Sequence, residues 1–144
     1  MPHSNAKIWI HLVFSTKDRM PLITESIEKN LHSHIRRKLT NEFDCFVEEI
    51  NGSNDHIHIL FNMSEKHSLE NIVKNIKGES THWINLTNRP EEKFSWQVGY
   101  CAFSISIDKV HAVKTYISRQ KEHHGKISFK DEYEKLMKIY SIKD

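Results

Sequence analysis

The chain has 144 residues, of which 38% are hydrophobic and 28% charged, the balance of one globular domain spanning 1–144. Its formal net charge of +2 is too small to argue by itself for a nucleic-acid partner. No run approaches the ~18 apolar residues of a membrane span, the start of the chain has no apolar secretion core, and Cys45 and Cys101 are too isolated for a disulfide framework or a zinc knuckle, so a reducing cytoplasm is the expected location.

Lys7 to Phe14 alternates, with Ile8, Ile10, Leu12 and Phe14 on one face and Trp9 on the other, which predicts a first strand. Thr24 to Leu39 carries Ile27, Leu31, Ile35 and Leu39 at every fourth position, the spacing of a helix. Phe43 to Ile50 reads as a second strand. Asn51-Gly52-Ser53-Asn54 is a turn signal that joins it as a hairpin to a third, from His56 to Met63. There His56, His58, Leu60 and Asn62 share one face, and Ile57, Ile59, Phe61 and Met63 the other. Ser68 is the expected cap of a second helix with Leu69, Ile72, Val73, Ile76 and Trp83 on its apolar side. Gly78 inside that pattern predicts a bend or a close contact, and Asn88-Arg89-Pro90 ends the segment.

Val98 to Ile107 contains the alternation of a fourth strand. Asp108 is the expected cap of the next helix, whose stripe is Val110, Val113 and Ile117. Tyr116 and Gln120 form an i, i+4 pair at the margin of that stripe. Ser128-x-x-Asp131 resembles a capping box and opens a last helix with Phe129, Tyr133, Leu136, Met137 and Tyr140 on one side. The order strand, helix, strand, strand, helix, strand predicts an α+β, ferredoxin-like (split βαβ) antiparallel sheet with helices on one face, followed by C-terminal helices. Ile57, Ile59 and Phe61 should then face the helices, leaving His56 and His58 on an uncovered face.

Two imidazoles at i and i+2 of a strand point the same way and can share one metal ion. A lone His-x-His more often only decorates a strand. Taken singly, Tyr116 fits the rim of a core and Gln120 a solvated surface. Two imidazoles with one amide or carboxylate oxygen would keep coordination positions open for a phosphoryl oxygen. Magnesium or manganese would suit a phosphodiester, although imidazole also admits zinc, nickel or copper. Gln120 is the candidate third ligand and Tyr116 the candidate nucleophile, whose ordinary pKa of about 10 calls for help from the metal or a base. A phosphotyrosine would preserve the energy of the cleaved bond, so rejoining needs no nucleotide cofactor, and the chain has no Gly-rich phosphate loop. Six basic residues against the single acid Glu122 between Lys109 and Lys130, with Arg36-Arg37-Lys38 and Lys74 and Lys77, mark candidate polyanion contacts.

With these residues assembled, the sequence resembles the single-tyrosine HUH transposases (TnpA type) of the smallest bacterial insertion sequences and their relatives associated with repetitive extragenic palindromes. The likeness covers nearly the whole chain, through Trp9 to Lys17, Asn54-Asp55-His56-Ile57-His58, Ile76 to Ser80, Trp96 to Tyr100, Phe103 to Ser106, and Tyr116-Ile117-x-x-Gln120-x-x-His123-His124. The resemblance implies that His56, His58 and Gln120 bind Mg2+ or Mn2+ and that Tyr116 is the nucleophile. It implies single-stranded DNA with hairpin ends as partner, a 5′-phosphotyrosine intermediate, and a homodimer in which one subunit's tyrosine helix can complete the other's site. It further implies a bacterial or archaeal, nucleoid-associated protein. It places Arg36, Arg37, Lys74, Lys77 and Arg119 at DNA phosphates, and leaves His123 and His124 as supports behind the ligands, DNA contacts or helix-end caps. Cys101 departs from the pattern, standing where many relatives carry glycine. Within the same group, a domesticated nuclease that processes palindromic repeats fits equally. A replication initiator or relaxase fits less well, because those chains usually carry further domains. A non-catalytic single-strand binder, with Trp9 stacking a base, is the alternative from another class.

Overall fold

Four alternating segments assemble into one antiparallel sheet: β1 (Trp9–Ser15), β2 (Phe46–Gly52), β3 (His56–Asn62) and β4 (Cys101–Ile105), in the order β2-β3-β1-β4. The computed structural model describes residues 5–123 and 127–140, with His123 described by its backbone alone. His124 therefore lies outside the described residues. The β2–β3 hairpin is the one its turn residues predict, and Gly52 is required there: a Cβ would run into the carbonyl oxygen of His56.

Helices α1 (Glu25–Asn41) and α2 (Leu69–Thr87) cover the face that carries Ile57, Ile59 and Phe61. Every-fourth-residue spacing puts Ile27, Leu31, Ile35 and Leu39 of α1 and Ile72, Val73, Ile76 and Ile84 of α2 into that core with Ile10, Leu12 and Phe14 of β1. Ser68 caps α2 as expected, its Oγ accepting from the Asn71 amide at 3.1 Å. Gly78 neither bends α2 nor lets anything approach; a Cβ there would meet nothing within 4 Å. Gly78→Ala is therefore expected to stabilise the protein by about 0.5–1 kcal/mol through the unfolded chain, read as a higher denaturation midpoint.

His32 on α1 buries Nε2 without a hydrogen-bond partner. Burial, aided by Lys121 and Arg36 and opposed by Glu28, pushes its pKa down to about 4. The unfolded chain, with an ordinary histidine near 6.5, takes up the proton first as pH falls. This contribution to stability is complete above about pH 6.5 and is lost between there and about 4, amounting to about 3 kcal/mol. His32→Gln should flatten that acid slope in denaturation midpoints measured from pH 7 to 4.5.

The second sheet face is not open as the strand pattern suggested. Helices α3 (Val110–Ser118) and α5 (Phe129–Ile139) close it, packing Ile117, Phe129 and Leu136 against Val13, Leu60, Phe103 and Ile105. The reason lies in the sheet itself, whose second face is apolar at Val13, Leu60 and Phe103 and gains by being covered. Ser128 caps α5 by accepting from the Asp131 amide at 3.2 Å.

Three boundaries also differ. β4 is shorter than 98–107 because Gly99, at φ 93°, turns the chain, and Lys77 Nζ donates to the Gln97 and Gly99 carbonyls at 2.7 Å each. Asp108 lies inside a 3-10 turn, Ile107–Lys109, so it does not cap α3. Finally, the tyrosine helix stops at Ser118, and Gln120 opens a separate short helix, α4 (Gln120–His123). Asn51 Nδ2 donates to the Ile117 and Ser118 carbonyls at 3.0 and 3.2 Å, supplying a β2 side chain to the end of the helix. Among the described residues, no helix is long and apolar enough to cross a membrane.

Candidate active site

The two-residue period of β3 brings His56 and His58 to the same face, where both are fully buried. Each ring is held by its Nδ1. His56 Nδ1 lies 2.8 Å from Asp55 Oδ1 and 3.1 Å from Ser53 Oγ, both from the hairpin turn. His58 Nδ1 lies 2.8 Å from His11 Nε2 on the neighbouring strand, and His11 Nδ1 lies 3.1 Å from the Tyr140 hydroxyl. Burial first, and then His58, hold His11 well below the ordinary histidine pKa against the pull of Glu132. These contacts fix the His58 ring so that its Nε2 faces inward, toward Glu132.

Both Nε2 atoms meet oxygen ligands. Gln120 Oε1 is 3.1 Å from His56 Nε2. Glu132 Oε1 is 2.6 Å from His58 Nε2 and 3.8 Å from His56 Nε2. Gln120 and Glu132 are themselves fully buried. The ligand atoms of His56, His58 and Glu132 all lie within 4.8 Å of one another. Two imidazole nitrogens and two oxygens, with the far ring nitrogens already engaged, form a donor set that fits a divalent cation.

Tyr116 reaches this cluster from α3. Its ring sets its edge against His58 at 5.9 Å and 79°, and against His11 at 6.4 Å and 70°. Burial and then the Glu132 carboxylate push its hydroxyl well above the ordinary phenol pKa. Gln120, whose Nε2 is buried without a partner at hydrogen-bonding distance, lies near enough to counteract part of that shift. Phe129 stacks on His56 at 4.2 Å and 18°. Phe129 also lines a cavity of about 660 Å3 with Val13, Arg19, Gln97, Tyr100 and Tyr133.

The structure thus assembles His56, His58, Gln120 and Tyr116 from one chain. It keeps Arg36, Arg37, Lys74 and Lys77 apart from them, on α1 and α2 across the sheet. Arg36 Nη1 donates to the Val47 carbonyl at 3.1 Å, and Lys77 holds the 97–99 loop. Arg37, Lys74 and Arg119 are exposed. Two members of the cluster were not among the residues expected from sequence. Glu132 could have been noticed as an acid between Phe129 and Leu136, on the apolar stripe of α5. His11 could have been noticed as an imidazole alternating with Trp9 and Val13 on the same strand face.

The sequence profile of the family described as Transposase IS200 like matches residues 4–120. The chain belongs to the IS200-like transposase family. The matched stretch of this IS200-like transposase contains both histidines, Tyr116 and Gln120, and stops short of α5. Its fold is shared with a candidate transposase from Deinococcus radiodurans R1, at 20% identity and TM-score 0.64, over 81% of this chain and 93% of that one. It is also shared with a REP-associated tyrosine transposase bound to a REP hairpin, at 17% identity and TM-score 0.63, over 88% of this chain and 76% of that one. No curated protein sequence matches the IS200-like transposase described here.

Proposed function

We propose that this transposase cuts and rejoins single-stranded DNA through Tyr116. The observation that carries the reading is the convergence of Tyr116 and Gln120 on a buried His56–His58 pair, within the stretch matched to the family. The Tyr116 oxygen would attack the phosphorus, giving up its hydroxyl proton, forming the Tyr–O–P bond and breaking the bond to the 3′ oxygen. That oxygen takes up a proton and leaves as a 3′-hydroxyl, while the 5′-phosphate stays on the tyrosine. In rejoining, a 3′-hydroxyl attacks the same phosphorus and returns the tyrosine. No bond energy is lost, so no nucleotide is consumed. The hairpin held by the REP-associated relative supports DNA hairpins as this chain's partners.

A divalent cation, Mg2+ or Mn2+, held by His56, His58 and Gln120, would polarise the phosphoryl oxygen. The protein's own part is orientation. Asp55 and Ser53 fix the His56 ring, and His11 fixes that of His58. In the closed arrangement the Tyr116 hydroxyl keeps its proton, because burial and the Glu132 carboxylate both favour the neutral phenol. The histidines, Gln120 and Glu132 are inaccessible to solvent, so the attack belongs to a conformation in which α5 has given way to the DNA strand. The cavity beside Phe129, which stacks on His56, is an open approach.

The test is incubation with a single-stranded oligonucleotide from the gene's own flank, labelled at either end, with magnesium and then with chelator. A denaturing gel should show a magnesium-dependent protein adduct on the 5′ end of the downstream fragment. Hairpin binding without an adduct, across several divalent metals, would instead make the chain a non-catalytic binder.

A further inference from the structure

We propose that Glu132 is itself a ligand of the cation in the closed arrangement, so that binding the ion docks the C-terminal helix α5 onto the sheet until a DNA strand displaces it. The inference rests on the cation site of the preceding section but assigns it a residue beyond the stretch matched to the family.

A fully buried carboxylate is costly unless it is paired or bound to a metal. Glu132 is fully buried, and a single oxygen, Oε1, faces both His56 Nε2 and His58 Nε2. Those are the two ring nitrogens whose opposite members are already taken, at His56 by Asp55 and at His58 by His11. The three ligand atoms therefore cluster within 4.8 Å of one another, with Glu132 closest to His58. The helix turns Glu132 toward the sheet. Ser128 sets the first turn, and Phe129 and Leu136, one turn to either side on the same stripe, are buried against the sheet. A cation between these atoms replaces the imidazole–carboxylate contact with bonds to charged and neutral donors, and relieves the cost of holding the acid there. Gln120 Oε1, already against His56 Nε2, supplies the remaining protein oxygen.

The consequence is a coupling between ion and helix: whatever Mn2+ gains from Glu132 must appear as added protection of α5. Calorimetric titration of the whole protein with Mn2+, without DNA, reads the first side. Glu132→Gln, equal in size, is expected to weaken Mn2+ binding by at least about 10-fold. Hydrogen exchange of the unmodified protein reads the second side and needs no variant. Mn2+ should slow the amides of α5 more than those of α1. Glu132→Gln binding Mn2+ within about twofold of wild type, or α5 exchanging at the same rate with and without the ion, overturns the assignment. If His56→Ala loses the ion while Glu132→Gln keeps it, this inference fails and the histidine site stands. If the unmodified protein binds no Mn2+, both fail.

Discussion

Tyr116→Phe is expected to abolish the covalent DNA adduct, lowering cleavage by at least about 10³-fold, while the protein stays folded and still binds its hairpin. The substitution removes one oxygen. The ring contacts with His58 and His11 are made by the aromatic edge and face, which phenylalanine keeps. The lost hydroxyl is one that burial and Glu132 hold in its neutral form, and its removal opens no cavity. A gel assay with labelled oligonucleotide, beside a gel-shift assay on the hairpin, separates the two effects. Cleavage by Tyr116→Phe at the wild-type rate would remove Tyr116 from the chemistry.

His56→Ala and His58→Ala should each cost about 10³-fold in metal-dependent cleavage, the equivalent of the several kcal/mol that a bound cation contributes to a phosphoryl transition state. They should differ in stability. Removing His58 takes away the 2.6 Å partner of a buried carboxylate and the 2.8 Å partner of His11 together. Taking the closest partner from a buried acid costs up to roughly 3–5 kcal/mol. His56 has its closest carboxylate in Asp55 at the edge of the fold, partly exposed, so its loss should be milder. Denaturation midpoints in chelator measure the difference, and full cleavage in chelator would refute the metal reading.

The strand order and the main helix faces were legible because they rest on local periodicity. Ile57, Ile59 and Phe61 alternate with His56 and His58, and the every-fourth-residue stripe of α1 admits little else. What escaped depends on partners far along the chain. The stripe of α5 says that it packs, but not that it packs over the histidines. Glu132 meets His58 across 74 residues. The break after Ser118 is accompanied by a side chain 66 residues earlier, Asn51, which no pattern within 108–124 could reveal. Strand alternation put His56 and His58 on one face but could not show that a distant helix brings Glu132 to them.

That break changes what the tyrosine can do. In one continuous helix, Tyr116 and Gln120 would turn as a single piece, and any swing of the proposed nucleophile would drag the proposed ligand with it. Here they sit on two short rods joined at Arg119, whose backbone (φ −99°, ψ 16°) already leaves the helical path. The first rod is latched by Asn51 at its carbonyl end, and the second is pinned by Lys121 to Glu28 and the β2–β3 hairpin. If Tyr116 is the nucleophile as proposed, a movement of α3 away from the Asn51 latch and from α5 would not have to move Gln120 from beside His56. On that proposal, cargo and clamp would be mechanically separate, and a strand could be exchanged without rebuilding the site each time.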